Sequence, residues 1–135
     1  MTDLSKENIL IPISPGELLD KITILEIKSE RIDSVEKKSH VNKELELLTT
    51  VWRDAVSEDA DLTAMRDELK SINESLWVIE DDIREEERSK RFGDRFIELA
   101  RSVYVTNDQR ANVKKRVNLH LNSEIVEEKS YQDYT

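Results

Sequence analysis

The stretch L-T-A-M-R-D-E-L-K-S-I-N-E-S-L-W-V-I-E-D-D-I-R, Leu62 to Arg84, decides the fold. Leu62, Met65, Leu69, Ile72, Leu76, Ile79 and Ile83 follow one another at intervals of three and four, with no Gly or Pro among them. A helix turns once in about 3.6 residues, so these side chains form one apolar stripe. The pattern predicts a helix from about Leu62 to Lys90, roughly 40 Å long at about 1.5 Å per residue. Such a stripe must be covered, and the rest of the chain is read as its cover. The fold class expected is all-α: an elongated bundle of four to five helices with one long central helix.

Composition supports this. The 135 residues suit one domain with a single core. Charged residues make up 38% and hydrophobic residues 37%, but only 2 Gly and 2 Pro interrupt the chain, which favours long helices. The absence of Cys excludes disulfides, thiolate metal sites and a Cys nucleophile. No apolar run approaches the ~18 residues of a membrane span. The N-terminus, with Asp3, Lys6 and Glu7, lacks a signal-peptide pattern, so the cytoplasm is the expected compartment. The formal charge of -9 argues against non-specific nucleic-acid binding. Yet Arg88 to Arg116 holds nine Lys or Arg against three acids, so this segment is +6 and the remainder -15. Internal charge pairing is the plain explanation, and an anion or phosphate site the alternative.

Other elements follow from local signals. Residues 1–8 are polar and expected to fray. Ile9 to Ile13, broken by Pro12, reads as an extended strap or a lone edge strand. Ser14-Pro15-Gly16-Glu17 is a capping box that should start a helix running to about Ile32. Leu18, Ile22, Leu25 and Ile32 form its stripe, while Ile24 and Ile27 lie off it, which suggests cover on two sides. A second helix, capped by Asp33 or Ser34, should reach about Val56 and bury Val41, Leu45, Leu48, Trp52 and Ala55. Ser57 to Asp61 caps the long helix. Gly93 suits a left-handed helix end, and Asp94 a new cap. A helix over Arg95–Val105 should then stop at Thr106-Asn107-Asp108-Gln109, a second cap, with a last helix to about Leu121. The whole is one helical domain, 1–135, with a strap over 1–13 and a C-terminal arm over 123–135 that carries Tyr131 and Tyr134.

Two sets of residues could carry chemistry. Glu17, Asp20, Glu26 and Glu80 could join from adjacent helices as oxygen ligands, for which Mg²⁺ would be the natural ion. With 30 acids in the chain, chance alone gives roughly seven acidic i,i+3 pairs, so the charge pattern is unspecific. The second set is Trp77, Arg84, Arg101, Tyr104, Asn107 and Arg110, as ligand-binding residues. Trp77 stands in a polar stripe with Asn73, Glu80 and Arg84, where the plain alternative is an i,i+4 pair of Glu80 with Arg84. Around Thr106, a helix start with free N–H groups beside Arg101, Tyr104, Asn107 and Arg110 could hold a phosphate or carboxylate; equally, Asp108 could pair with Arg110 or cap its own helix. His40 and His120 fall in no ligand motif, and serine-hydrolase, P-loop and dinucleotide fingerprints are absent.

Three pieces together carry a resemblance: S-P-G-E-L-L-D-K-I-T-I-L-E-I-K (Ser14 to Lys28), L-W-V-I-E-D-D-I-R (Leu76 to Arg84), and F-I-E-L-A-R-S-V-Y-V-T-N-D-Q-R-A (Phe96 to Ala111), with E-E-K-S-Y near the end. The chain resembles a family of short, uncharacterised bacterial and phage proteins, a domain of unknown function, whose segment also occurs in larger proteins tied to surface-sugar biosynthesis. The resemblance implies no activity. It does imply that Glu17, Asp20, Lys21, Glu26, Glu80, Asp81, Arg84, Asn107, Asp108 and Arg110 belong to the family pattern.

No function is assignable from the sequence. The leading expectation is a small cytoplasmic binding or assembly protein, homodimeric, engaging a protein partner or a phosphate-bearing anionic ligand. The alternative is an enzyme like the all-α Mg²⁺-dependent nucleotide pyrophosphohydrolases, although their paired E-x-x-E and E-x-x-D arrangement is missing at usable spacing. A sugar-nucleotide or saccharide binder is a third option, resting on the family context and Trp77.

Overall fold

The computed structural model describes residues 8–135, so the expectation for the polar N-terminus lies, apart from Asn8, outside the described residues. Four helices follow in order: α1 (Pro15–Arg31), α2 (Val35–Ala55), α3 (Ala60–Arg88) and α4 (Asp94–His120). No strand occurs among the described residues. None of these helices is long and apolar enough to cross a membrane.

The first three helices each start where a side chain satisfies a free N–H. Ser14 Oγ accepts from the Glu17 N–H at 3.2 Å, with Pro15 in the first turn. Ser34 caps α2, and Asp59 caps α3 by accepting from the Leu62 N–H at 2.7 Å. The second carboxylate oxygen of Asp59 meets His120 Nε2 at 2.8 Å, which ties the start of α3 to the end of α4. At the other end of α3, Lys90 takes the left-handed conformation (φ 57°). Gly93, expected there, instead precedes α4 as its N-cap with φ -87°. The chain turns one helical step earlier than the glycine suggested, and Gly93 is left as a cap with no capping side chain.

The helix expected to be the one long central element has a partner of nearly its own length: α3 has 29 residues and α4 has 27. They pack along each other, and α1 packs on α2, α3 and α4. That is why α1 buries Leu18, Leu19, Ile22, Leu25 and Ile27, more than one face's worth. The main core joins Leu18, Leu19 and Ile22 of α1 to Trp52, Leu62, Leu69, Val113 and Val117. Ile13 packs against this core, whereas Ile9, Leu10 and Ile11 are exposed, so the described part of the N-terminal segment meets the bundle at Ile13. Beyond the reach of α1, the α3 seam residues Leu76, Ile79 and Ile83 are only half-buried.

The expected break at Thr106 is overturned: α4 is continuous. Phe96, Leu99, Val103, Thr106, Arg110, Val113 and Val117 keep the three-four spacing throughout. Thr106 and Arg110 are polar members of one seam, which disguised its continuity. Asn and Asp cost a helix only about 0.7 kcal/mol each against Ala, less than burying Val113 and Val117 on the same helix returns at about 1.5–3 kcal/mol apiece.

Candidate functional site

The polar centre of the molecule begins at Gly16. Its N–H donates to Asn118 Oδ1 at 2.7 Å. A Cβ at this position would run into the Lys114 carbonyl oxygen and lie 2.8 Å from Asn118 Oδ1. Only glycine lets the first turn of α1 come this close to α4. The approach carries Glu17 and Asp20 onto the α4 face that bears Arg110 and Lys114.

Asp20 is buried at 1% exposure and is fully partnered. Arg110 donates through Nε to Oδ1 at 2.8 Å, and a second guanidinium nitrogen reaches Oδ2. Asn73 Nδ2 donates to Asp20 Oδ1 at 3.0 Å and to Thr23 Oγ1 at 3.0 Å. Thr23 in turn donates to the Asp20 carbonyl at 2.9 Å. One carboxylate thus links α1, α3 and α4. Burial alone would raise the Asp20 pKa, but hydrogen bonds from Arg110 and Asn73, with the charges of Arg110 and Lys114, outweigh it and hold the carboxyl below its ordinary range. Asp20 is therefore an ionised acceptor with its partners in place, unsuited to taking a proton.

Lys114 lies beside this pair. Its Nζ donates to Glu17 at 2.6 Å and to Glu127 at 3.1 Å, and stands 4.0 Å from Asp20. Burial works against its charge, but the bonds to Glu17 and Glu127 prevail and raise its pKa. Glu127 belongs to the C-terminal arm. Asn122, in the left-handed conformation (φ 54°), turns the chain back after α4. The arm then runs antiparallel to α4: Lys115 meets Glu128 at 3.1 Å, Lys129 meets Asp108 at 2.6 Å, and the Tyr134 ring lies 5.2 Å from that of Tyr104.

Between α4 and the arm lies a cavity of about 660 Å³, within the roughly 300–1,000 Å³ of small-molecule sites. Tyr104, Asn107, Arg110, Lys114 and Asn118 form its floor, and Tyr131, Gln132 and Tyr134 its outer wall. The floor residues share one face because α4 is unbroken. Tyr104 and Tyr134 mark one end, and Lys114 and Asn118 the other.

Of the expected ligand-binding residues, Tyr104, Asn107 and Arg110 come together here. The reason differs from the one expected. No helix begins at Thr106, so its N–H groups are engaged within α4, and the side chains alone line the cavity. Trp77 is half-buried and Arg101 exposed, both outside the cavity lining, and Arg84 forms the plain i,i+4 pair with Glu80. The four carboxylates expected to share a metal ion do not converge. Glu17 pairs with Lys114, Asp20 with Arg110, Glu26 with Arg66 at 3.8 Å, and Glu80 with Arg84. Among the described residues, no group of three or more His, Asp or Glu is placed to hold a metal ion. Four acids that each face a cation make no oxygen cage.

Sequence reasoning left out Gly16, Thr23, Lys114, Lys115, Asn118, Glu127, Glu128 and Lys129 as members of this site. The three-four spacing of Tyr104, Asn107, Ala111, Lys114 and Asn118 would have shown most of the floor, had α4 been read as one helix.

The fold and site define a small all-helical protein with a polar layer across three helices and a cleft closed by its own C-terminal arm. The chain belongs to the Family of unknown function (DUF6165), whose model matches residues 9–134. No curated protein and no solved structure matches it.

Proposed function

We propose that the chain is a binding protein whose ligand sits on the α4 face of the cleft that the C-terminal arm covers. The ligand is a phosphate-bearing small molecule with an aromatic ring. The observation that carries this reading is the polarity of the cleft along its length: Tyr104 and Tyr134 pair at one end, and Lys114 and Lys115 stand near the other. Tyrosine faces suit a planar ring, and ammonium groups suit phosphate. The locked state of Asp20 supports binding over proton-transfer chemistry. The separate pairing of Glu17, Asp20, Glu26 and Glu80 removes the support for a Mg²⁺-dependent pyrophosphohydrolase. A cysteine-free chain suits the cytoplasm, which we take as its compartment.

Calorimetric titration with ADP, adenosine and inorganic phosphate tests the reading. ADP should bind, with the other two much weaker, and Tyr104→Ala or Lys115→Ala should each weaken ADP by about tenfold. Absence of binding by ADP would overturn it.

A second reading concerns assembly. Leu76, Ile79 and Ile83 of α3 are half-buried, and Val78, Phe92 and Ile97 stand exposed on the same hairpin. A second copy packed on this end of α3 and α4 would complete the core as a homodimer. Sedimentation should give a dimer that Ile97→Glu dissociates; a monomer for the unaltered chain would exclude it.

A further inference from the structure

The cations of the cleft already face carboxylates of the same chain, and those carboxylates are of two kinds. Asp20 and Glu17 come from α1; Asp20 is buried, and Glu17, half-buried, stands beside it on Lys114. Glu127 and Glu128 come from the arm, where they meet Lys114 at 3.1 Å and Lys115 at 3.1 Å. The two arm side chains are 65% and 71% exposed. The Lys115 pair is open to water on both sides and so weak and readily exchanged, while at the largely buried Lys114 it is the carboxylate of Glu127 that is open to exchange. The arm also carries a ring, Tyr134, which lies on Tyr104. Laid along α4, the arm therefore presents two adjacent negative charges to the lysines and an aromatic ring to the far end of the cleft.

We infer that Glu127 and Glu128 hold the places of the ligand's own charges, so that the arm is a built-in competitor. The ligand it mimics carries two adjacent anionic groups and an aromatic ring, which is the chemistry of a nucleoside diphosphate. This inference rests on the cleft being the binding site, as proposed above. A diphosphate brings more charge to Lys114 and Lys115 than two carboxylates do, and its base can take the place of the Tyr134 ring. The apparent affinity is then lowered by the fraction of molecules in which the arm is seated. Binding moves the arm outward, with Asn122, already in a left-handed turn, at its root.

The test compares the unaltered full chain with a Glu127→Gln, Glu128→Gln double variant, whose substitutions lie on exposed side chains and should leave the helical circular-dichroism spectrum unchanged. ADP should bind the double variant about three- to tenfold more tightly, and weak adenosine binding should tighten by a similar factor, because the same seated arm stands in the way of its base. ADP should also speed tryptic cleavage after Lys129 in the unaltered chain, because the displaced arm is open to protease. If the unaltered chain binds ADP but the double variant binds it no more tightly, the competitor inference fails and the binding reading stands. Protection of Lys129 by ADP would likewise overturn displacement and make the arm a part of the bound state. If neither chain binds ADP, both readings fall together.

Discussion

Asp20 with Arg110 and Glu128 with Lys115 are the same chemistry, a carboxylate on a cation borne by α4, placed in two surroundings. Asp20 is 1% exposed and its partner's side chain 30%, whereas Glu128 is 71% exposed and Lys115 44%. In the first case α3 adds a hydrogen bond from Asn73, and loss of Arg110 leaves a buried carboxylate without its charge partner. In the second, water replaces whichever partner leaves. The difference separates the two roles proposed for α4: its inner face fixes the fold, and its outer face is free to exchange partners.

The strongest way to break that comparison is Arg110→Ala. It leaves the buried Asp20 without its guanidinium and should cost about 3–5 kcal/mol of stability by chemical denaturation. Asp20→Ala should cost less, about 2–3 kcal/mol, because Arg110 is partly exposed and can turn toward water. Equal effects would mean that the pair is not asymmetric in burial. Gly16→Ala forces α1 off the Lys114 carbonyl and should cost about 2–3 kcal/mol.

Acid sharpens the same contrast. The Asp20 pKa lies below its ordinary 3.8. A lowered carboxylate pKa adds stability above the unfolded value and loses it as pH falls through the folded one. The inner pair should therefore hold from neutrality down to about pH 4, where protonation begins to remove its contribution. Asp20→Asn should flatten the acid limb of the stability curve. At the alkaline end the Lys114 pKa is raised above 10.5, so its contribution is complete below 10.5 and declines as pH rises through the folded value. Smallest of all, Glu128→Gln should change stability by under about 1 kcal/mol, and Gly93→Ser, at an open N-cap with nothing within 4 Å of a Cβ, should add a few tenths of a kcal/mol.

The helical class was legible because its signals are local. The seam from Leu62 to Ile83, the Ser14 cap and the acidic turn before α3 each depend on neighbours within a few residues. The continuity of α4 was hidden because Thr106 and Arg110 occupy seam positions that an isolated helix would fill with apolar groups. The reason for Arg110 being there, Asp20, lies 90 positions away in the chain. The site was legible in part for the same reason. Tyr104, Asn107 and Arg110 were singled out from a local cluster, but the arm that completes the cleft folds back over Lys114 and Lys115 only in three dimensions. The grouping of Glu17, Asp20, Glu26 and Glu80 was limited by a related route: spacing shows where carboxylates lie on a helix, not that each has a cation opposite.

The measurement that bears most directly on the division of α4 is a two-dimensional amide NMR titration of the full chain with ADP. Shifts should concentrate over residues 104–118 and in the arm from 124 to 134, while Thr23 and Asn73, behind the Asp20 pair, keep their positions. Shifts centred instead on Trp77 and the outer end of the α3–α4 hairpin, or none at saturating ADP, would contradict the assignment of the cleft as the binding site.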